Sequence, residues 1–256
     1  MTIYNQTKIN NLLQCWPPGT VATPYWLEKQ GISRQLQAHY QKSQWIDTIG
    51  TGAFKRTGST IDWKGGLYVI QKQLELPVHA GGLTAAVLQG SAHYVRFKEN
   101  IQLFGTGDSS VPLPKWFRDY KWGEEVIFYR THFLPKGIGL KEYEDKTFSI
   151  TISSLERAIL ECLYLAPQYM DLVECYHIME GLAGLRPDLL QELLEACSSV
   201  KVKRLFLYMA EKANHTWLQY LDTKPVDLGK GKRSLVKNGV YNSKYAITIP
   251  KELANI

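Results

Sequence analysis

At 256 residues, 45% of them apolar, with 15 Tyr and 7 Trp, the chain can bury one large core or two ordinary ones and is not a disordered protein. No apolar run reaches the length of a membrane span, and "MTIYNQTKINNLLQC" lacks the basic start and apolar centre of a signal peptide, so a cytoplasmic protein is expected. The formal charge of +6 is uneven: residues 1–60 hold six Lys/Arg against two acids, residues 201–256 eleven against four, and the stretch between is net acidic, leaving two basic ends suited to polyanions.

Taken in chain order, "TKINNLLQCW" predicts a first helix stopped by Pro17 and Pro18. Thr23 is a good cap for a second helix with Pro24 at its first position and Gly31 at its stop. Ser33 caps a third, ending near Gln44, so the pair forms a helix-turn-helix unit. "WIDTIGTGAFKR" alternates around a glycine turn and predicts a β-hairpin, the wing of a winged helix. Two more helices are expected in "IDWKGGLYVIQKQL" and "GGLTAAVLQG". Strands are expected in "HYVRF", "IQLFG", "EVIFYRTHF" and "KTFSITI", with a loop and a turn of helix in "VPLPKWFRDY".

From Ser153 the pattern becomes helical. Ser153 and Glu156 have capping-box spacing, and Arg157 is placed to pair with Glu161. "QYMDLVECYHIMEGL", "PDLLQELLEAC" and "VKRLFLYMAEKA" continue as helices, and "VKNGVYNSKYAITIP" reads as a terminal hairpin with an Asn-Gly turn. The fold class expected is α/β (α+β): an N-terminal winged helix-turn-helix over residues 1–80, followed by a mixed α/β domain over 81–256.

On the third helix, at about 100° per residue, Leu36 and Tyr40 share one face with His39 beside them. Arg34, Ala38, Gln41 and Lys42 fall opposite, with Gln37 at the edge, and that outer face carries no acid. Arg and Gln are the side chains that bond bidentately to guanine and adenine edges in the major groove. Lys55 and Arg56 on the wing suit phosphate contacts.

Enzymatic motifs are sparse. "DLGKGKRS" (227–234) lacks the earlier glycine and the Ser/Thr after lysine that a Walker loop needs, although Lys230, Lys232 and Arg233 could still cradle phosphate. In "SSVKVKRLFLYM" Lys201 and Arg204 fall close, with Lys203 aside and Leu205 and Phe206 inward; a core helix with a charged first turn explains the run equally well. The six histidines lack metal-binding spacing, and Cys15, Cys162, Cys175 and Cys197 are far apart, as buried thiols are. No catalytic residue, metal or cofactor is expected.

The chain resembles the AbiEi family, the antitoxin and regulator half of bacterial AbiE (abortive infection) toxin–antitoxin systems. The resemblance rests on "WPPGTVATPYWLEKQGISRQL", "LPVHAGGLTAAVLQGSAHYV", "ISSLERAILECLYL", "LAGLRPDLLQELLEACSSVKVKRLFLYMAE" and "DLGKGKRSLVKNGVYNSKYAITIP", in that order along most of the sequence. It implies a winged helix that binds inverted repeats of double-stranded operator DNA in its own promoter. It also implies a C-terminal domain counteracting a nucleotidyltransferase-like toxin of AbiEii type, in a type IV pairing that needs no stable complex.

The helix-turn-helix match places DNA contacts at Arg34, Gln37, Gln41 and Lys42, with the caps Thr23 and Ser33 counted beside them and Lys55 and Arg56 added on charge. The basic stretches that match nominate Lys201, Lys203, Arg204, Lys230, Lys232 and Arg233 for the antitoxin or phosphate-binding surface. The alternative is a metal-dependent, nuclease-like enzyme targeted by the winged helix, with Glu124, Glu125, Glu142, Glu144 and Asp145 as ligands. A third is a winged-helix adaptor between proteins.

Overall fold

The computed structural model describes residues 8–91, 100–106 and 112–256. The chain divides into two compact units that are not consecutive stretches of sequence. The first comprises the described residues of Met1–His79, Ser109–Val126 and Glu142–Thr151; the second those of Ala80–Asp108, Ile127–Lys141 and Ile152–Ile256.

The first unit opens with α1 (Lys8–Cys15), α2 (Pro24–Lys29) and α3 (Arg34–Lys42), then β1 (Ile46–Thr48), β2 (Phe54–Arg56) and α4 (Trp63–Lys72). Leu12, Trp16, Ala22, Leu27, Ile32, Tyr40 and Ile46 make one core cluster of this unit, to which α1, α2, α3 and the wing each contribute at least one side chain. The hairpin β1–β2 is antiparallel, with Ile46 opposite Arg56 and Thr48 opposite Phe54. Its turn uses the left-handed backbone of Gly50 and Gly52, at φ +63° and +100°, which only glycine adopts at little cost.

In chain order β3 (Val78–Ala80), α5 (Gly82–Leu88) and β4 (Asn100–Thr106) follow, then α6 (Lys115–Asp119) and β5 (Glu125–Thr131). Trp116 of α6 backs the wing turn, with the Trp116 Cα 3.5 Å from where a Gly50 side chain would begin. Phe117 and Trp122 press on Gly66 of α4 so closely that a methyl there would lie 2.6 Å from the Trp122 ring. β6 (Leu140–Asp145), a strand the sequence pattern had not suggested, and β7 (Phe148–Ser153) complete a five-stranded sheet in the order β5-β4-β3-β7-β6. The expected strand "HYVRF" lies outside the described residues.

The second unit holds the larger core, built on α7 (Leu155–Leu165), α8 (Leu172–Glu180), α9 (Pro187–Ala196) and α10 (Val200–Lys212). Arg157 and Glu161 pair at 2.9 Å, both buried, as the i,i+4 spacing suggested. The capping box does not form. The Ser153 hydroxyl donates instead to Glu161, and the Glu156 carboxylate accepts from the Arg186 amide and guanidinium at 2.9–3.0 Å. Burial alone would raise the Glu156 carboxyl, but the Arg186 bonds hold it down to about 2.

The chain ends with β8 (Arg233–Ser234), β9 (Val240–Asn242), β10 (Ile247–Ile249) and α11 (Lys251–Asn255). β9 and β10 form the expected hairpin, and β8 adds to β10 in parallel. The Asn238-Gly239 pair is not its turn: it precedes β9, and the chain reverses through Ser243–Ala246, where Ala246 takes φ +51°. Cys162, Cys175 and Cys197 are buried as expected, with burial pushing each thiol upward, whereas Cys15 is exposed.

Candidate nucleic-acid interface

Local chemistry sets the geometry of α2 and α3. Thr23 Oγ1 accepts from the Trp26 amide, and Ser33 Oγ accepts from the Leu36 amide, each capping its helix. Gly31 between them sits at φ +79°, so the chain reverses in the space of two residues. Thr23 is buried, and its hydroxyl donates to Gln73 Oε1 at 3.1 Å. Its role is therefore to anchor α2 onto α4, and it is withdrawn from the residues expected to touch DNA.

α3 turns a slightly different face inward than periodicity suggested. Gln37 is buried, and its amide donates to the carbonyls of Pro24 and Ile32, both at 3.0 Å. Those two bonds hold the turn closed from beneath, so Gln37 has no donor to spare for a base edge. His39, expected beside Leu36 and Tyr40, is exposed instead. The outward face of α3 thus comprises Arg34, Gln35, Ala38, His39, Gln41 and Lys42, and carries no acid. Gln35 and His39 were missed because the inner arc was centred one residue too early on the helical wheel.

One acid does approach this face from outside α3. Glu28, in the last turn of α2, accepts from Arg34 Nε at 2.6 Å, both side chains being well exposed. Tyr25 of α2 is 56% exposed with Lys29 Nζ 4.6 Å above its ring, and Trp45, just before the wing, is 48% exposed. These aromatic and basic groups flank the turn, and charge counting along α3 alone passes over them.

The two wing cations separate. Lys55 lies opposite Asp47 in the hairpin and donates to the Ser59 carbonyl at 3.2 Å. Arg56 points to the other side of the strand, as alternation requires. Its guanidinium donates to the Leu13 carbonyl at 2.6 Å and stands 5.7 Å from the Trp16 ring, with Nε buried and without a partner. Arg56 is a brace between wing and α1 and does not reach outward.

The basic group in the second unit also divides. Lys203 and Arg204 are buried in α10, and Lys201 Nζ donates to the carbonyls of Tyr164 and Ala166. Arg204 donates to the carbonyls of Leu228, Gly229, Gly231 and Ala246 at 2.7–3.1 Å, tying the 227–234 loop to the terminal hairpin. These three cations are structural, while Lys230, Lys232 and Arg233 are exposed.

The strand-flanking acids are partly spoken for: Glu142 is engaged by Lys72, Ser149 and Thr151, and Asp145 by Lys64 at 2.7 Å. Among the described residues no cluster of three or more His, Cys, Asp or Glu could hold a metal ion. No helix among them is long and apolar enough to cross a membrane.

Helix, turn, helix and a two-stranded wing define a winged helix-turn-helix, a fold that presents one helix outward from a small core. Family models match residues 5–97, as the AbiEi antitoxin N-terminal domain, and residues 98–250, as the AbiEi antitoxin of type IV toxin–antitoxin systems; the chain belongs to this family of transcriptional regulators. Membership implies a toxin counterpart and regulatory DNA binding. Among solved structures it is similar to the RV2827C protein from Mycobacterium tuberculosis, at 11% identity and a TM-score of 0.59, covering 94% of this chain and 89% of that one; the likeness is one of fold. No curated protein matches.

Proposed function

We propose that the chain is a DNA-binding autorepressor whose α3 enters the major groove of inverted repeats in its own promoter. The observation that carries this reading is the outward face of α3, where Arg34, Gln41 and Lys42 stand exposed on a helix without an acid of its own. Arg34 and Gln41 read base edges, Gln35 and His39 lie within reach of the same groove, and Lys42 meets phosphate. Ser33 at the helix start, Lys29 on α2 and Lys55 on the wing approach the backbone, which fixes register without reading sequence.

The second unit counteracts a nucleotidyltransferase-like toxin of AbiEii type, with Lys230, Lys232 and Arg233 as its outward basic surface, and no stable complex is needed. The protein acts in the cytoplasm by binding and not by catalysis.

Fluorescence anisotropy on labelled DNA from upstream of the gene tests the first half, against a scrambled duplex at two salt concentrations. Tighter binding to the native fragment, weakening steeply with salt, is the expected result. Equal binding to both duplexes would reduce α3 to a merely basic surface. Co-expression with a neighbouring toxin gene tests the second half: growth is restored by the wild type and lost with Lys230, Lys232 and Arg233 all changed to Ala.

A further inference from the structure

The loop after Leu228 and the turn of the terminal hairpin line an open surface pocket of about 340 Å³, within the size range of small-molecule sites. Its lining carries three cations, Arg204, Lys232 and Lys244, and no acid. Arg204 is buried, and its four acceptors are all main-chain carbonyls, so its charge is offset by dipoles and not by a carboxylate. Lys244 is neutralised by Glu211, which also accepts from the Tyr245 hydroxyl at 2.7 Å. Lys232 makes no ion pair among the described residues, and its Nζ stands 4.9 Å from the Tyr241 ring centre.

Two further features sit on the same wall. Gly229 and Gly231 both adopt left-handed backbone, at φ +61° and +77°, so the loop folds tightly around the cavity. The amides of Gly231 and Lys232, both lining residues, find no acceptor among the described residues, although the Gly229 amide is taken by Asp227. Free amides beside glycines of positive φ, next to an unpaired lysine, are the components of a phosphate cradle. The same lining offers Tyr241, 42% exposed and beneath the Lys232 ammonium, and the ring of Tyr245, surfaces on which a planar base can stack.

We infer that this cavity is a binding site for a nucleoside polyphosphate, its phosphates held by the Gly231 and Lys232 amides and the Lys232 ammonium, its base lying against Tyr241. The inference does not depend on α3 reading DNA, because every residue it uses belongs to the second unit.

The test is a fluorescence titration of the full chain with N-methylanthraniloyl-ATP, with competition by ATP, adenosine and inorganic phosphate. Saturable binding displaced by ATP, and far less by adenosine or phosphate, is the expected result. Lys232→Ala and Tyr241→Ala each weaken binding about tenfold, the worth of one charge-assisted bond or one stacked base. Lys237→Ala, exposed but outside the cavity, leaves it unchanged. All three positions are exposed, so the variants keep the wild-type melting temperature. Absence of saturable binding, displacement by phosphate as effective as by ATP, or full affinity in both Lys232→Ala and Tyr241→Ala would each overturn the inference. Operator binding measured on the same samples separates that failure from a failure of the α3 reading.

Discussion

Arg34 Nε lies 2.6 Å from Glu28 Oε1, so a principal cation of the outward face is tethered to the helix before it. An exposed pair of this kind contributes little to folding, within about 0.5 kcal/mol. It does hold in one place the guanidinium proposed to read a base, and it opposes that group's charge. Glu28→Gln is expected to leave the melting temperature nearly unchanged while raising affinity for operator DNA, most visibly at low salt. A loss of affinity would mean that the tether aims Arg34. Arg34→Ala should cost about 1–3 kcal/mol in binding and relax preference at one base position, measured by anisotropy on a panel of single-base operator variants.

Gln37 and Gln41 stand one turn apart and are expected to behave in opposite ways. Gln37→Ala leaves the buried Ile32 carbonyl and the part-buried Pro24 carbonyl without the Gln37 donor, costing about 1–3 kcal/mol of stability in chemical denaturation. Gln41→Ala should leave the denaturation curve in place and alter base preference. If Gln37→Ala instead changed specificity at full stability, the inner face of α3 would be wrongly assigned.

Lys42→Ala should weaken binding to every duplex alike and reduce the slope of log K against log salt by about 0.9, one phosphate contact's worth. The same substitution at Arg56 should destabilise the protein, because Arg56 braces α1, and give no comparable change in salt slope per folded molecule.

These contrasts mark where sequence reading stops. The helix-turn-helix was legible because Thr23, Pro24, Gly31 and Ser33 start or stop their helices through their own neighbours, whereas the Thr23 bond to Gln73, fifty residues on, was not. The burial of Gln37 was not, since a glutamine at the edge of a helical wheel turns inward only where carbonyls await it. Arg204 is the stronger case: a cation is ordinarily outside, and only the carbonyls of residues more than twenty positions later make its burial possible. The Asn-Gly pair misled for the reverse reason, being a sound turn signal at a turn one step too early. Nor did any composition shift announce that α6 belongs beside the wing.

Arg204→Ala is accordingly expected to cost about 3–5 kcal/mol, as loss of a buried charged partner does, read by thermal or urea denaturation. Arg204→Lys should recover little, because an ammonium cannot span four carbonyls set around a planar fork. A mild effect from either would show that the loop and the hairpin hold together without it.

Acid should expose the contribution of Glu156. Its carboxyl sits at about 2 in the fold against an ordinary 4.5, so the unfolded chain takes up the proton first. The stabilisation, on the order of 3 kcal/mol, is complete above pH about 4.5 and is lost as pH falls toward about 2. Urea midpoints followed down this range should decline more steeply in the wild type than in Glu156→Gln, which begins lower at neutral pH. Parallel declines would remove Glu156 as the cause.

The placement of Trp116, Phe117 and Trp122 against Gly50 and Gly66 bears on how the protein comes into being. A ribosome delivers the helix-turn-helix within the first 56 residues, yet the side chains that back the wing and α4 arrive only with residues 116–122, and the strand residues of the same unit with 142–151. A nascent chain thus carries α3 long before it has the side chains that back the wing and α4. A frameshift or early stop upstream of residue 116 would release a fragment holding the α3 residues without the aromatic buttress. Control of the promoter would then fall to chains translated well past the apparent end of their DNA-binding segment.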